Sequence, residues 1–138
     1  MTSTWQRAQE LSDRAELIDL ATGITRRLDA KDFDGLSEIY TADAELTMPG
    51  SVTSGVSGIV DIARRNHESF DRTQHFVTGP VVTTTGDQAS LVADVLAALV
   101  SGGGSDVRLV GSRYELRAVR TAVGWRFTGH VITPVWDR

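Results

Sequence analysis

Three histidines and a few carboxylates, set among apolar neighbours, are the residues of this 138-residue chain with the means to do chemistry. His75 opens the run HFVTGPVVTTT, which is rich in β-branched residues. It shares strand parity with Val77 and Val81, which suggests an inward face. Taken alone, a strand histidine is more often structural than catalytic. His130 sits mid-strand between Gly129 and Val131, and points either inward with Ile132 or outward with Arg126. His67 falls near Glu68 and Asp71 on the polar side of a helix and reads as solvated. Asp29 ends a helix in RRLDAKDFD. A carboxylate there faces the negative end of the helix dipole, at a cost of roughly a few tenths of a kcal/mol. Something must offset that cost: either a hydrogen bond to its own turn or a partner such as a histidine. Asp94 interrupts LVADVLAALV and reads as an outer-face residue, with a pocket acid as the alternative. Tyr114 either offers a hydroxyl to a hollow or packs as an aromatic. No metal site is expected, because three histidines without HxH or HxxEH spacing, and no cysteine, are a poor ligand set.

These residues need elements to hold them. Ser12-Asp13 is a helix-start signal with Glu16 placed for a capping box. Leu17, Ile18, Ala21, Ile24 and Leu28 follow at helical spacing, which predicts a helix over about 13–29. Residues 1–10, with Trp5, then form a tail or arm, and 11–138 the domain. Asp32 can cap a short second helix carrying Phe33, Leu36, Ile39 and Tyr40, although Gly35 weakens it. Ala44–Met48 reads as a short strand ended by Pro49-Gly50, and SVTSGVSG as a loop. Ser57 can cap a third helix. After Asp71 the texture is that of strands. HFVTGPVVTTT, VRLVGSRYELRAVR and WRFTGHVITPVW are separated by turn signals, while SLVADVLAALV is a strand candidate ambiguous with a buried helix. Long strands joined by short turns make an antiparallel meander. Gly79, Gly111 and Gly129 mark bulges that curve the sheet, or merely ease packing. Three helices on one face of a bent sheet enclose a hollow, and an α+β domain follows.

Composition narrows the classes. One ordinary domain of this length buries roughly two-thirds of its unfolded surface and needs no metal or disulfide to fold. The net charge is −4 and the arginines are scattered, so neither nucleic acid nor a membrane surface is an expected partner. Without cysteine there is no thiol nucleophile. No apolar run has signal-peptide or membrane-span character, so the expected location is the cytoplasm.

The order helix–helix–strand–helix–meander, with DRAELIDL, LDAKDFDGLSEIYTADAEL, RTQHFVTG, the run Gly111 to Tyr114 and GWRF, resembles the SnoaL-like branch of the cone-shaped NTF2-like superfamily. The resemblance covers about residues 11–136. In scytalone dehydratase-like and hexachlorocyclohexane dehydrochlorinase-like members, an aspartate ends the first helix and orients a histidine that opens the first long strand. That histidine takes a proton from carbon. Asp29 and His75 fall on those positions. The chain departs from the dehydratase pattern at Leu28, Met48 and Ala98–Val100, where that pattern has tyrosines and a second histidine. Met48 also removes the aspartate base of steroid isomerase-like members, and no Asp-Arg-Asp set of the epoxide hydrolase kind is evident. The dehydrochlorinase pattern fits better: it is apolar at Met48, has a run like Asp94-Val95-Leu96, and can carry an arginine near His130.

The resemblance therefore implies a cofactor-independent lyase or isomerase acting on a small apolar molecule. His75 is the general base, Asp29 its orienter, and His130 or Tyr114 a second polar contact. An imidazole with an ordinary pKa near ~6.5 suits proton transfer near neutrality. Met48, Val77, Val95, Phe127 and Val131 are expected among the pocket walls. The alternatives are a non-catalytic binding or assembly module using the same hollow, and a polyketide cyclase-like enzyme. The resemblance also implies a homodimer or other homo-oligomer.

Overall fold

The computed structural model describes residues 3–138, and Ser3 caps the first helix, α1 (Thr4–Asp29). The Ser3 hydroxyl accepts from the Gln6 amide at 3.1 Å, and the Gln6 side chain accepts from the Ser3 amide at 2.8 Å. The expected start at Ser12-Asp13 is therefore helix interior. The helix begins earlier because its first turns need no apolar face: Trp5 and Leu11 are exposed, and residues 4–10 project as a solvated stretch. Asp13 is buried rather than capping. Its carboxylate takes a bidentate pair from Arg120 at 2.8 and 2.9 Å, Trp125 Nε1–H at 3.1 Å and Gln9 Nε2–H at 3.0 Å. These donors, Arg120 above all, hold its carboxyl down at about 2.

The expected second helix is a single 3-10 turn, Asp34–Glu38. Its N-cap is Phe33 rather than the expected Asp32, although the Asp32 carboxylate accepts from the Gly35 amide at 3.2 Å. Strand β1 (Tyr40–Met48) is longer than anticipated. The stretch expected as a loop supplies β2 (Ser51–Ser54), which pairs antiparallel with β1 across the Pro49-Gly50 turn. Helix α2 (Val56–His67) follows Gly55, whose φ of 92° lets the chain reverse there. Among the described residues there are thus two α-helices, not three.

The meander is as expected: β3 (Arg72–Thr85), β4 (Gln88–Ser101), β5 (Asp106–Thr121) and β6 (Gly124–Asp137). The alanine-rich β4 is a strand, and its strict alternation of buried and less buried residues shows why. The sheet order is β2-β1-β6-β5-β4-β3, antiparallel throughout except for the parallel β1–β6 pair. Register shifts occur beside each of the three marked glycines. At Gly79 and Pro80 two residues oppose Ala93. At Gly111 the ring of Trp136 lies where a Cβ would be. Opposite Arg117 and Ala118, β6 carries Thr128 as an extra residue next to Gly129. These are bulges, and they curve the sheet.

Helix α1 packs on β3 and β6, and α2 on β1. Leu17, Ile24 and Leu28 of α1 meet Leu91, Leu116, Trp125 and Phe127 of the sheet in one core. Asp94 lies on the outer face, paired with Arg113 at 3.2 Å. No helix among the described residues is long and apolar enough to cross a membrane.

Candidate active site

The last residue of α1 is Asp29, at the end of the helix where its charge is least welcome. Three donors from β3 compensate. Thr73 Oγ1–H donates to Oδ1 at 2.9 Å, the His75 amide donates to Oδ2 at 2.9 Å, and His75 Nδ1 lies 2.6 Å from Oδ1. An ionised carboxylate only accepts, so His75 Nδ1 carries the proton and Nε2 holds a lone pair. The His75 side chain is only 3% exposed, and that of Asp29 24%. Nε2 makes no hydrogen bond among the described residues, and the ring forms part of a cavity wall. The carboxylate grips backbone and ring of the same residue, so the imidazole is fixed in both tautomer and direction.

The cavity has two adjoining lobes that share Met48, Asn66, His67, Tyr114 and Ile132 as walls. The outer lobe is open to solvent and contains His75. The inner lobe reaches Tyr40 and His130 through mostly aliphatic walls. Arg108 stands in the outer wall, but its guanidinium is paired with Asp137.

His130 faces inward with Ile132. The bulge at Thr128 sets that parity and turns Val131 away from the cavity. His130 is 2% exposed and bonds Tyr40 Oη through Nδ1 at 2.7 Å. Its Nε2 is sealed and has no hydrogen-bond partner among the described residues. Burial pushes its pKa down to about 3, so the ring is neutral at pH 7. Burial also raises the phenols of Tyr40 and Tyr114 above their ordinary range.

Of the anticipated walls, Met48, Val95, Tyr114 and His130 line the cavity. Two do not. Phe127 is completely buried against Tyr40 in the solid part of the core. Val77 packs against the core on the strand that α1 crosses, away from both lobes.

One site residue escapes a reading of the sequence. His67 ends α2, and its polar neighbours suggested a solvated face. It lines both lobes instead, its ring centroid 5.4 Å from that of His75. Nδ1–H donates to the Ala63 carbonyl at 2.8 Å, which leaves Nε2 an acceptor. Burial lowers its pKa. The signal was its place in the last turn of an amphipathic helix, one turn beyond buried Ala63. Among the described residues no group of three or more histidines and carboxylates is placed to hold a metal ion.

The arrangement can take a proton from a molecule held in an apolar cavity. The fold is that of the NTF2-like proteins, and solved structures match it closely. A Kribbella flavida protein is 29% identical with a TM-score of 0.86, the match covering 94% of this chain and 95% of the other. A hexachlorocyclohexane dehydrochlorinase, LinA type 2, is 22% identical with a TM-score of 0.85, covering 96% and 91%. A candidate scytalone dehydratase from Novosphingobium aromaticivorans is 14% identical with a TM-score of 0.88, covering 96% and 90%. No curated protein matches the chain by sequence. Residues 9–130 match the model of the SnoaL-like domain, nearly the whole length, and the chain belongs to that family.

Proposed function

We propose that this protein is a cofactor-independent lyase or isomerase that removes a proton from carbon in a small, largely apolar molecule. The observation that carries this reading is the free Nε2 of His75 in a cavity wall, with Nδ1 held by Asp29 at 2.6 Å. His75 is the general base. Asp29 selects its tautomer and stabilises the imidazolium formed as the proton arrives. The apolar walls orient the substrate, and the curved sheet keeps most of it from water. Similarity in fold to a dehydrochlorinase and a candidate scytalone dehydratase supports an elimination chemistry.

Proton abstraction can be read without knowing the physiological product. A panel of small carbon acids in D₂O, followed by NMR, should include compounds that gain deuterium catalytically with the wild-type protein. His75→Ala should abolish that gain while leaving the circular dichroism spectrum unchanged. Equal exchange by wild type and His75→Ala would overturn the assignment.

The protein is also proposed to assemble with copies of itself through the outer sheet face. Phe76, Val107, Leu109 and Trp136 are exposed there, beside Asp94 and Arg113. Light scattering after size-exclusion chromatography should give a multiple of 14.9 kDa. A strict monomer at high concentration would refute the assembly.

A further inference from the structure

Two imidazoles share the outer lobe, and the proton-abstraction site uses one of them. His67 and His75 both line that lobe, with ring centroids 5.4 Å apart. Each has its Nδ1 held inside the protein, His67 by the Ala63 carbonyl at 2.8 Å and His75 by Asp29 at 2.6 Å. A carbonyl and a carboxylate only accept, so each Nδ1 carries the hydrogen and each Nε2 a bare lone pair. Neither lone pair is sealed. The sealed, unpartnered side-chain atoms among the described residues are Arg27 Nε and His130 Nε2. No described donor bonds Nε2 of His67 or of His75. Burial disfavours the charged form of His67, which keeps its lone pair free near neutrality. The ring is also fixed from outside the cavity. Lys31, two residues beyond Asp29, donates from Nζ to the carbonyls of Glu68 at 3.1 Å and Phe70 at 2.6 Å. The end of α2 is thereby tied to the end of α1, and His67 to the neighbourhood of the dyad.

We infer that His67 anchors the substrate: its bare Nε2 accepts a hydrogen bond from a hydroxyl group, so the small apolar molecule that His75 deprotonates carries an alcohol near its acidic carbon. This deepens the reading of His75 as base and rests on it for the identity of that carbon. A bound molecule displaces solvent from the lobe, and a lone pair left facing hydrocarbon loses the hydrogen bonds that solvent gave it. A ligand that brings a donor avoids that loss, and one with a methyl group in its place does not. An alcohol suits the lobe better than an amine. An amine is a cation near neutrality, and the nearby carboxylates are already engaged. Asp29 accepts from Thr73 and from the amide and ring of His75, and Asp137 is paired with Arg108. The hydroxyl is held rather than expelled. The one N–H of His67 is spent on Ala63, which leaves no proton for a departing oxygen. In a lyase reaction the group lost is therefore a different one, and the alcohol stays in the product.

The competing role for His67 is structural: a ring that closes the last turn of α2 and packs near Phe33, with centroids 6.5 Å apart. Cyclohexanol and methylcyclohexane, alike in shape, separate the two roles. They differ in their own cost of leaving water, so the quantity read is how the ratio of their Kd values changes with the protein. In a His75→Ala background no base competes for the hydroxyl. There, His67→Phe should shift the ratio by about tenfold against the alcohol. His67→Gln, whose side-chain carbonyl accepts, should recover part of the shift. In wild type labelled with ¹⁵N-histidine, cyclohexanol should move the unprotonated Nε2 resonance of His67 in the direction of a new hydrogen bond, and methylcyclohexane should not. A ratio that ignores His67→Phe, an alcohol that moves only the His75 resonance, or a free protein with the proton on His67 Nε2 overturns the inference and leaves His67 to the scaffold. In the deuterium-exchange panel, hydroxyl-bearing carbon acids should show a lower KM than their methyl counterparts, and His67→Phe should remove that advantage. A ratio shift without exchange in any carbon acid sinks the base and keeps the anchor, whereas exchange without the ratio shift sinks the anchor alone.

Discussion

Helix α1 carries two aspartates that leave the helix for the sheet, Asp13 in its middle and Asp29 at its end, and they meet different fates. Asp13 meets a guanidinium, an indole N–H and an amide. Arg120, which also stacks over Trp125 and binds Asp87, has no proton to exchange near neutrality. Arg120 gives its two terminal nitrogens to Asp13 and its Nε to Asp87, and the result is a rivet between α1 and the β5–β6 end of the sheet. Asp29 meets a hydroxyl, a backbone amide and an imidazole. The imidazole has a second nitrogen, which lies on the cavity side. The same residue type on the same helix is structural where its partner is permanently charged. It is a candidate for catalysis where its partner can gain and lose a proton.

The largest effect that would test this contrast is on the rate. His75→Ala should lower the deuterium-exchange rate by roughly 10²–10⁴-fold, about 3–5 kcal/mol of barrier. A loss of folding by circular dichroism in that variant would instead make His75 part of the scaffold. Asp29→Asn should cost roughly 100-fold or more, because the amide no longer dictates the tautomer.

At the rivet the signs reverse. Asp13→Asn should destabilise the fold by about 2–3 kcal/mol in urea, below the range for fully buried pairs because Arg120 is partly exposed, with exchange per folded molecule unaltered. The pH dependence follows from the lowered carboxyl of Asp13. Its folded value of about 2 lies below the ordinary 3.8, so its stabilisation is complete above about pH 4. It fades as pH falls toward 2, where the folded carboxyl itself takes up a proton. Urea midpoints measured between pH 5 and pH 2 should fall less steeply in Asp13→Asn than in wild type.

The smallest expected effect sharpens the comparison within the dyad. Thr73→Val removes one of three donors to Asp29 while keeping shape, at about 1 kcal/mol or less than tenfold in rate. A loss as large as that of Asp29→Asn would mean that the hydroxyl, not the backbone grip of His75, holds the carboxylate in place.

Much of this was legible before any coordinates. The change from helical spacing to β-branched runs at Asp71 gives the α+β order, because side-chain periodicity reports local backbone geometry directly. Gly79, Gly111 and Gly129 could be picked out as bends, since glycine inside a strand is costly unless the backbone needs it. Asp29 and His75 could be paired only through the family pattern. Their residue types say what they can do, but 46 positions separate them and the spacing alone does not join them.

Other features depended on packing. The start of α1 at Thr4 was hidden because that stretch is solvated on every side, and no hydrophobic stripe announces it. The face of His130 was undetermined because one extra residue, Thr128, reverses strand parity just before it. His67 looked solvated from its neighbours in sequence, yet it stands 5.4 Å from His75 because β3 returns past the end of α2. Phe127 and Val77 have the apolar character of pocket walls, but whether an inward side chain meets a cavity or another side chain depends on which helix lies over it. Sequence determined what each residue could offer and which elements would carry it. The bulges and the two helices laid across a curved sheet decided which offers meet, because contact between distant segments is a property of their packing and not of their local composition.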